Sequence, residues 1–319
     1  MTGEGSRSPA GTRDTPGVHS INHFALTVPD LTAASRFYSC FGLGVREDGD
    51  QLALLASQCA TPCGLIVEGK TKRLNHLSFG IYESDARRFQ KRLEEHRIKR
   101  VDPPAPFRSD GLWFHDPEGS LIELRVAAKT SPDAKPSVEA GSTPGGVPAT
   151  LRRSQVEHVQ PRRLSHVLVF ARDVLGQVEF YSKILGLKLT DHCGDGIAFM
   201  HAMHGSDHHV LAFAKSDGAG FHHCSWDVPS VHHIGLGAMQ MASDGFTAGW
   251  GLGRHVVGSN YFHYVRDLWG SYAEYSCDID YVPAGFDWRP QDYPPEDAFY
   301  VWGPAPPADF AVNRELNGD

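Results

Sequence analysis

No apolar run in this 319-residue chain is long enough to cross a bilayer, so no membrane-spanning role is expected. The opening stretch MTGEGSRSPAGTRDTPG lacks the apolar core of a secretory signal. Cysteine is scarce, with six residues and no C-x-x-C pair; this fits reduced thiols in a cytoplasmic protein. There is no basic excess. The net charge is -8, which argues against a nucleic-acid partner. The pattern HExxH is absent too, so zinc-protease chemistry has no support.

What the chain does have is length, histidine and self-similarity. It has room for two compact domains with an ordinary apolar content. Of 18 histidines, 13 fall between His158 and His263. That crowding points to a site in the second half.

The sequence repeats itself. INHFALTVPDLTAASRFYSCFGLG, from Ile21, matches LSHVLVFARDVLGQVEFYSKILGL, from Leu164. Each copy opens with an apolar strand carrying His23 or His166. An Asp follows, Asp30 or Asp173, placed to cap a helix. Leu31, Ala34, Tyr38 and Phe41 share one helical face, as do Val174, Val178, Tyr181 and Leu185. LNHLSFGI matches HHCSWDV, which aligns His76 with His223 and leads into another helix. LWFHDPEGSLIEL matches HYVRDLWGSYAEY, so Trp113 to Glu123 aligns without gaps to Tyr264 to Glu274. In both, Asp-x-x-Gly-Ser reads as a tight turn between strands.

The expected class is therefore α+β, with two tandem modules of paired βαβββ units. Residues 1–17 are expected to be disordered, 18–128 to form the first module, and 129–163, rich in Pro, Ser, Gly and Thr, to form a linker. The second module should span 164–285. Residues 286–319 are too apolar for simple disorder and should wrap back over the domains.

His166, His223 and Glu274 stand at equivalent landmarks of the repeat. Two imidazoles and one carboxylate leave several positions open on a metal, the pattern of non-haem Fe(II) enzymes that use O2. A lone strand histidine is usually structural. Glu274 says more, because it sits among Tyr272, Ala273 and Tyr275, and a buried carboxylate is costly unless something balances it. Zinc also accepts two His and one Glu, so ligand type alone does not choose the metal.

The stretch GRHVVGSNYFHYVRDLWGSYAE, from Gly253, resembles the signature of type I extradiol ring-cleavage dioxygenases of the vicinal oxygen chelate superfamily. Five residues carry the likeness: His255, Tyr264, Asp267, Gly270 and Glu274. LSHVLVF, FHHCSWDV and DHHVLAF resemble the strands that bear the family's two ligand histidines and its acid–base histidine. The resemblance covers nearly all of the second half; the first half matches in architecture. It implies that Fe(II), or Mn(II) as the alternative, is held by His166, His223 and Glu274. It implies a catecholic substrate, O2, and a homo-oligomer. His209 would serve as base and later acid. His255 and Tyr264 would donate hydrogen bonds to the substrate oxygen or a developing oxyanion. The ring would open beside the diol, giving a semialdehyde-type product.

One departure is Leu268 where the family often has Pro; the first copy keeps Pro117. Since His208 and His209 adjoin, a strand there would place only one of them in the site. His255 reads as part of a loop-like stretch. In the first half His23, His76 and Glu123 occupy the ligand positions, but Trp113 stands for Tyr264 and PPAPFRSDG replaces the Gly-Arg-His approach. The first module is expected to be a retired copy, a residual metal site being the lesser alternative. Two rival functions remain: another metalloenzyme of the superfamily, such as a glyoxalase or thiol transferase, and a non-catalytic protein that binds aromatic compounds.

Overall fold

The computed structural model describes residues 16–139, 144–148 and 151–316. The anticipated disorder of residues 1–15 falls outside them. Gly17 and Val18 are buried, with the Val18 amide donating to Leu185 O at 2.9 Å.

The first half runs β1 (Ser20–Val28), α1 (Leu31–Cys40), β2 (Gly44–Asp48), β3 (Gln51–Leu55), β4 (Gly64–Glu68), β5 (Arg73–Ile81), α2 (Ala86–Glu95), β6 (Arg100–Val101), β7 (Leu112–His115) and β8 (Leu121–Val126). The second half repeats the order: β9 (Arg163–Ala171), α3 (Val174–Leu185), β10 (Lys188–Cys193), β11 (Ile197–His201), β12 (Ser206–Asp207), β13 (Leu211–Lys215), β14 (Gly220–Asp227), α4 (Val231–Ser243), β15 (Gly249–His255), β16 (Tyr261–Arg266) and β17 (Tyr272–Cys277). Three short strands follow: β18 (Tyr281–Val282), β19 (Gln291–Asp292) and β20 (Tyr300–Trp302).

Local chemistry sets the boundaries. Asp30 Oδ1 accepts the Ala33 amide at 2.9 Å, and Asp173 Oδ1 accepts the Gly176 amide at 2.9 Å. These caps satisfy donors that have no partner inside the helix. Helix α3 stops at Gly186, whose φ of 73° is left-handed.

Each half forms one large mixed sheet, and β12 and β18 of the second half pair separately as a two-stranded ribbon. The first has the order β2-β3-β4-β1-β5-β8-β7-β6; the second has β19-β10-β11-β13-β9-β14-β17-β16-β15-β20. Within each βαβββ unit the first and last strands pair in parallel: β1 with β4, β5 with β8, β9 with β13, β14 with β17. The two units of a half meet through an antiparallel pair, β1 with β5 or β9 with β14. This is the paired-unit α+β architecture read from the repeat.

The halves share one apolar core. Phe41 stacks on Tyr275 at 3.9 Å between ring centres, and Tyr275 Oη donates to Phe41 O at 2.9 Å. The Asp116 turn reaches across as well, accepting from Gln177 Nε2 at 2.9 Å and Tyr181 Oη at 3.0 Å. Between the halves, Thr130 Oγ1 donates to Ile21 O, and the Val159 amide to Gln240 Oε1.

Four bulges recur at matching places. The β1–β5 ladder skips Asn22 and Asn75; the β9–β14 ladder skips Ser165 and His222. Each skipped residue immediately precedes one of the histidines His23, His76, His166 and His223. A bulge puts one extra residue beside its neighbour instead of across the sheet. The side chain before each histidine can thus reach that histidine's own ring.

Candidate active site

His166 on β9, His223 on β14 and Glu274 on β17 converge in the second half, with one ligand atom from each lying within 4.8 Å of the others. Glu274 Oε2 is 3.3 Å from His166 Nε2 and 3.7 Å from His223 Nε2. All three residues are buried. Glu274 Oε1 accepts from Asn260 Nδ2 at 3.2 Å, whereas Glu274 Oε2 and His223 Nε2 have no hydrogen-bond partner among the described residues. Leaving such atoms unpaired in the interior costs about 1–3 kcal/mol each, more for a charge. A divalent cation would satisfy all three donors, so the residues fit a metal.

The bulges set which ring nitrogen faces that position. Ser165 Oγ donates to Asp207 Oδ2 at 2.6 Å and lies 3.2 Å from His166 Nδ1. With its proton committed to Asp207, the hydroxyl accepts from His166 Nδ1–H, and His166 Nε2 keeps a lone pair. His222 Nε2 donates to Phe310 O at 2.7 Å. Burial lowers the pKa of His222 to about 4, so its ring is neutral and its Nδ1 must accept. His223 Nδ1–H supplies that proton at 2.6 Å, which frees His223 Nε2. Orientation of this kind, through the second ring nitrogen, is how proteins prepare imidazole ligands.

The three residues expected to act on substrate are here too. The His209 ring lies 4.0 Å from the His166 ring. His255 Nε2 is 3.0 Å from Tyr264 Oη and 3.9 Å from Glu274 Oε1. The Tyr264 ring is 5.1 Å from that of His223. Burial, reinforced by neighbouring histidines, holds His209 and His223 well below the ordinary histidine pKa. His255 is lowered by burial, against the pull of Glu274. Burial first, and Glu274 second, push the Tyr264 hydroxyl well above its usual value. Burial thus favours neutral rings at His209, His223 and His255 and a protonated phenol at Tyr264.

Two expectations need correction. His208 and His209 are not on a strand; they lie between β12 and β13, both buried, with the His209 ring beside that of His166 and His208 Nε2 turned to Asp191. Strand alternation therefore does not apply to them. His255 is not in a loop but is the last residue of β15, held by its amide to Asn260 O at 2.9 Å.

Sequence reasoning missed Asn260, Asp191, Ser165 and His222. His208 Nε2 donates to Asp191 Oδ2 at 2.7 Å, while His208 Nδ1 lies 3.0 Å from His209 Nδ1. The C-terminal segment also contributes. Phe299 O accepts from His255 Nδ1 at 2.9 Å, and the Phe310 ring packs 5.1 Å from that of Tyr264. Aromatic walls surround the histidines: Phe199 at 4.9 Å from His209, Phe262 at 4.0 Å from His255, and Trp288 at 5.5 Å from His208.

In the first half His23, His76 and Glu123 also converge, but differently. Glu123 Oε2 accepts from Ser78 Oγ at 2.5 Å, and Glu123 Oε1 accepts from Ser109 Oγ. Trp113 fills the place of Tyr264, its Nε1 donating to Ser109 Oγ at 3.2 Å.

The chain belongs to the Glyoxalase/Bleomycin resistance protein/Dioxygenase superfamily, matching it over residues 20–124 and 163–275. It is 47% identical over 311 residues to Metapyrocatechase 2 of Cupriavidus necator, covering 97% of this chain and 96% of that one. Its fold is similar to an extradiol ring-cleaving dioxygenase from B. fuscum (TM-score 0.75, 19% identity, 95% and 84% of the two chains). It is also similar to a Mn(II)-bound glyoxalase from Novosphingobium aromaticivorans (TM-score 0.74, 23% identity, 92% and 94%).

Proposed function

We propose that this chain is an extradiol dioxygenase: it opens a catecholic ring beside the vicinal diol with O2, giving a semialdehyde-type product. The identity to Metapyrocatechase 2 over nearly the whole of both chains supports the activity. The observation that carries the site assignment is the pair of unpartnered buried atoms, Glu274 Oε2 and His223 Nε2, beside His209, His255 and Tyr264.

His166, His223 and Glu274 hold Fe(II), with Mn(II) the alternative, since both accept two imidazoles and a carboxylate. When bound, the metal supplies open positions for the diol and O2 and a path for electrons between them. The protein's own groups handle protons and shape. His209, kept neutral by burial, takes a hydroxyl proton from the catechol and can return it to an oxygen of the opening ring. Tyr264, kept protonated, gives its one hydroxyl proton to His255 Nε2 at 3.0 Å in the empty site and can swing it to a substrate oxygen when the ring binds. Phe199, Phe262 and Trp288 give the ring an apolar enclosure and exclude water. The setting is proposed to be cytoplasmic, with the chain in a homo-oligomer.

The test is anaerobic loading with Fe(II), then air and a panel of substituted catechols, followed by visible absorbance and O2 electrode. Yellow product with one O2 consumed per ring, lost in His223→Ala and Glu274→Ala, is the expected result. No O2 uptake with any catechol at one bound iron in this site would overturn the reading.

A further inference from the structure

We infer that His23, His76 and Glu123 form a second metal site, closed and structural, for a divalent transition-metal ion. The argument starts from two nitrogens that face each other. His23 Nε2 and His76 Nε2 are 3.1 Å apart. His23 Nδ1 sits 2.9 Å from Asn22 Oδ1, and His76 Nδ1 sits 2.9 Å from Asn75 Oδ1. An amide oxygen only accepts, so each Nδ1 carries the ring proton. Each Nε2 is then left with a lone pair, and two lone pairs cannot form a hydrogen bond to one another. A shared cation removes the conflict. Two imidazoles at the usual metal–nitrogen distance of about 2.1 Å, in neighbouring coordination positions, place their nitrogens about 3.0–3.4 Å apart.

The construction is that of the second half. Asn22 and Asn75 are the bulged residues of β1 and β5, as Ser165 and His222 are of β9 and β14. Glu123 is fully buried, and its Oε2 lies 4.0 Å from His23 Nε2. The hydroxyls of Ser78 and Ser109 do not exhaust it, because a carboxylate has about four lone-pair sites. Ligating carboxylates are commonly hydrogen-bonded in this way. Arg125 Nη1, at 4.0 Å, partly balances Glu123 without an ion.

What differs is the open side. The rings of Phe107 and Trp113 pack on His76 at 4.7 and 4.8 Å, and Ser109 joins Trp113 to Glu123. Among the described residues, no histidine here corresponds to His209 or His255. Structural metal sites are closed, whereas catalytic ones keep a position free. An ion here would tie β1, β5 and β8 together and add its binding energy to folding.

The test uses Zn(II) on the full-length, metal-stripped protein. The protein is loaded, desalted and analysed for metal per chain by plasma mass spectrometry. Two equivalents are expected for the parent chain, one for Glu274→Ala and one for His76→Ala. Should His76→Ala fail to fold, Glu274→Ala decides the matter alone, since it keeps the first-half triad whole. Zn(II) should also raise the melting temperature of Glu274→Ala. One equivalent in the parent and none in Glu274→Ala would overturn the second site. Neither result depends on dioxygenase turnover.

Discussion

Asp191 Oδ2 receives His208 Nε2–H at 2.7 Å, and this one bond sets the protonation pattern of the next ring. With the His208 proton held at Nε2, its Nδ1 accepts a hydrogen bond from His209 Nδ1–H across 3.0 Å. His209 is left with Nε2 as its basic nitrogen. Asp191 is a positioning residue that acts through two imidazoles. Asp191→Ala should lower kcat about 10–100-fold, the loss typical when a partner that orients a site imidazole is removed. Asp191 also accepts the Gln291 amide at 2.8 Å, so His208→Ala is the companion variant: it should reproduce the rate loss with that contact intact. Equal kcat in parent and His208→Ala would remove the relay from the mechanism.

Tyr264 stays protonated across the working range because burial raises its pKa well above the ordinary phenol value. Tyr264→Phe should therefore lower kcat by about 10²-fold, the loss typical of one oxyanion donor. The alkaline limb of the kcat–pH profile should not move. A limb displaced in Tyr264→Phe would mean that the phenol itself titrates during turnover.

The Asp116 turn joins the halves through Tyr181 and Gln177. Asp116→Ala would strand a buried hydroxyl and a buried amide, costing on the order of 3 kcal/mol. Calorimetry should show a melting temperature lower by about 4–5 °C for a chain of this length. An unchanged value would show that these bonds add nothing net.

Acid should weaken the fold through histidines outside the two His-His-Glu triads. Burial lowers His201 to about 3 and His19 and His263 to about 4. Their unfolded value is about 6.5, so between these limits the unfolded chain binds more protons. Stability is full above about pH 6.5 and falls as pH drops toward 4, by about 1.4 kcal/mol per pH unit for each group. Urea midpoints of metal-free protein at pH 7, 6 and 5 should decline. A flat series would mean these rings titrate normally in the native state.

The parts of this molecule legible in the sequence were those fixed by local pattern. Asp30 and Asp173 announce their helices because a cap acts within three residues. His166, His223 and Glu274 were found because the repeat gave each a counterpart at a fixed register. Asp191 was invisible because its contact with His208 joins β10 to the irregular segment between β12 and β13 and depends on chain path, not spacing. The assignment of a strand to His208 and His209 failed for a related reason: periodicity describes a regular ladder, and this segment leaves it. One signal was present and passed over. Asn22, Asn75, Ser165 and His222 are all polar and all stand immediately before a ligand-position histidine. A polar residue next to a buried strand histidine, four times over, is the trace of the bulges.

His222 and His255 are both held by main-chain carbonyls, those of Phe310 and Phe299. The side chains of the same two residues face the aromatic wall of the site. Exchange of Phe299 or Phe310 for another residue alters the wall while the carbonyls remain. The packing beside Tyr264 and His255 and the placement of ring protons are therefore separable: the first is written in side chains, the second in the backbone.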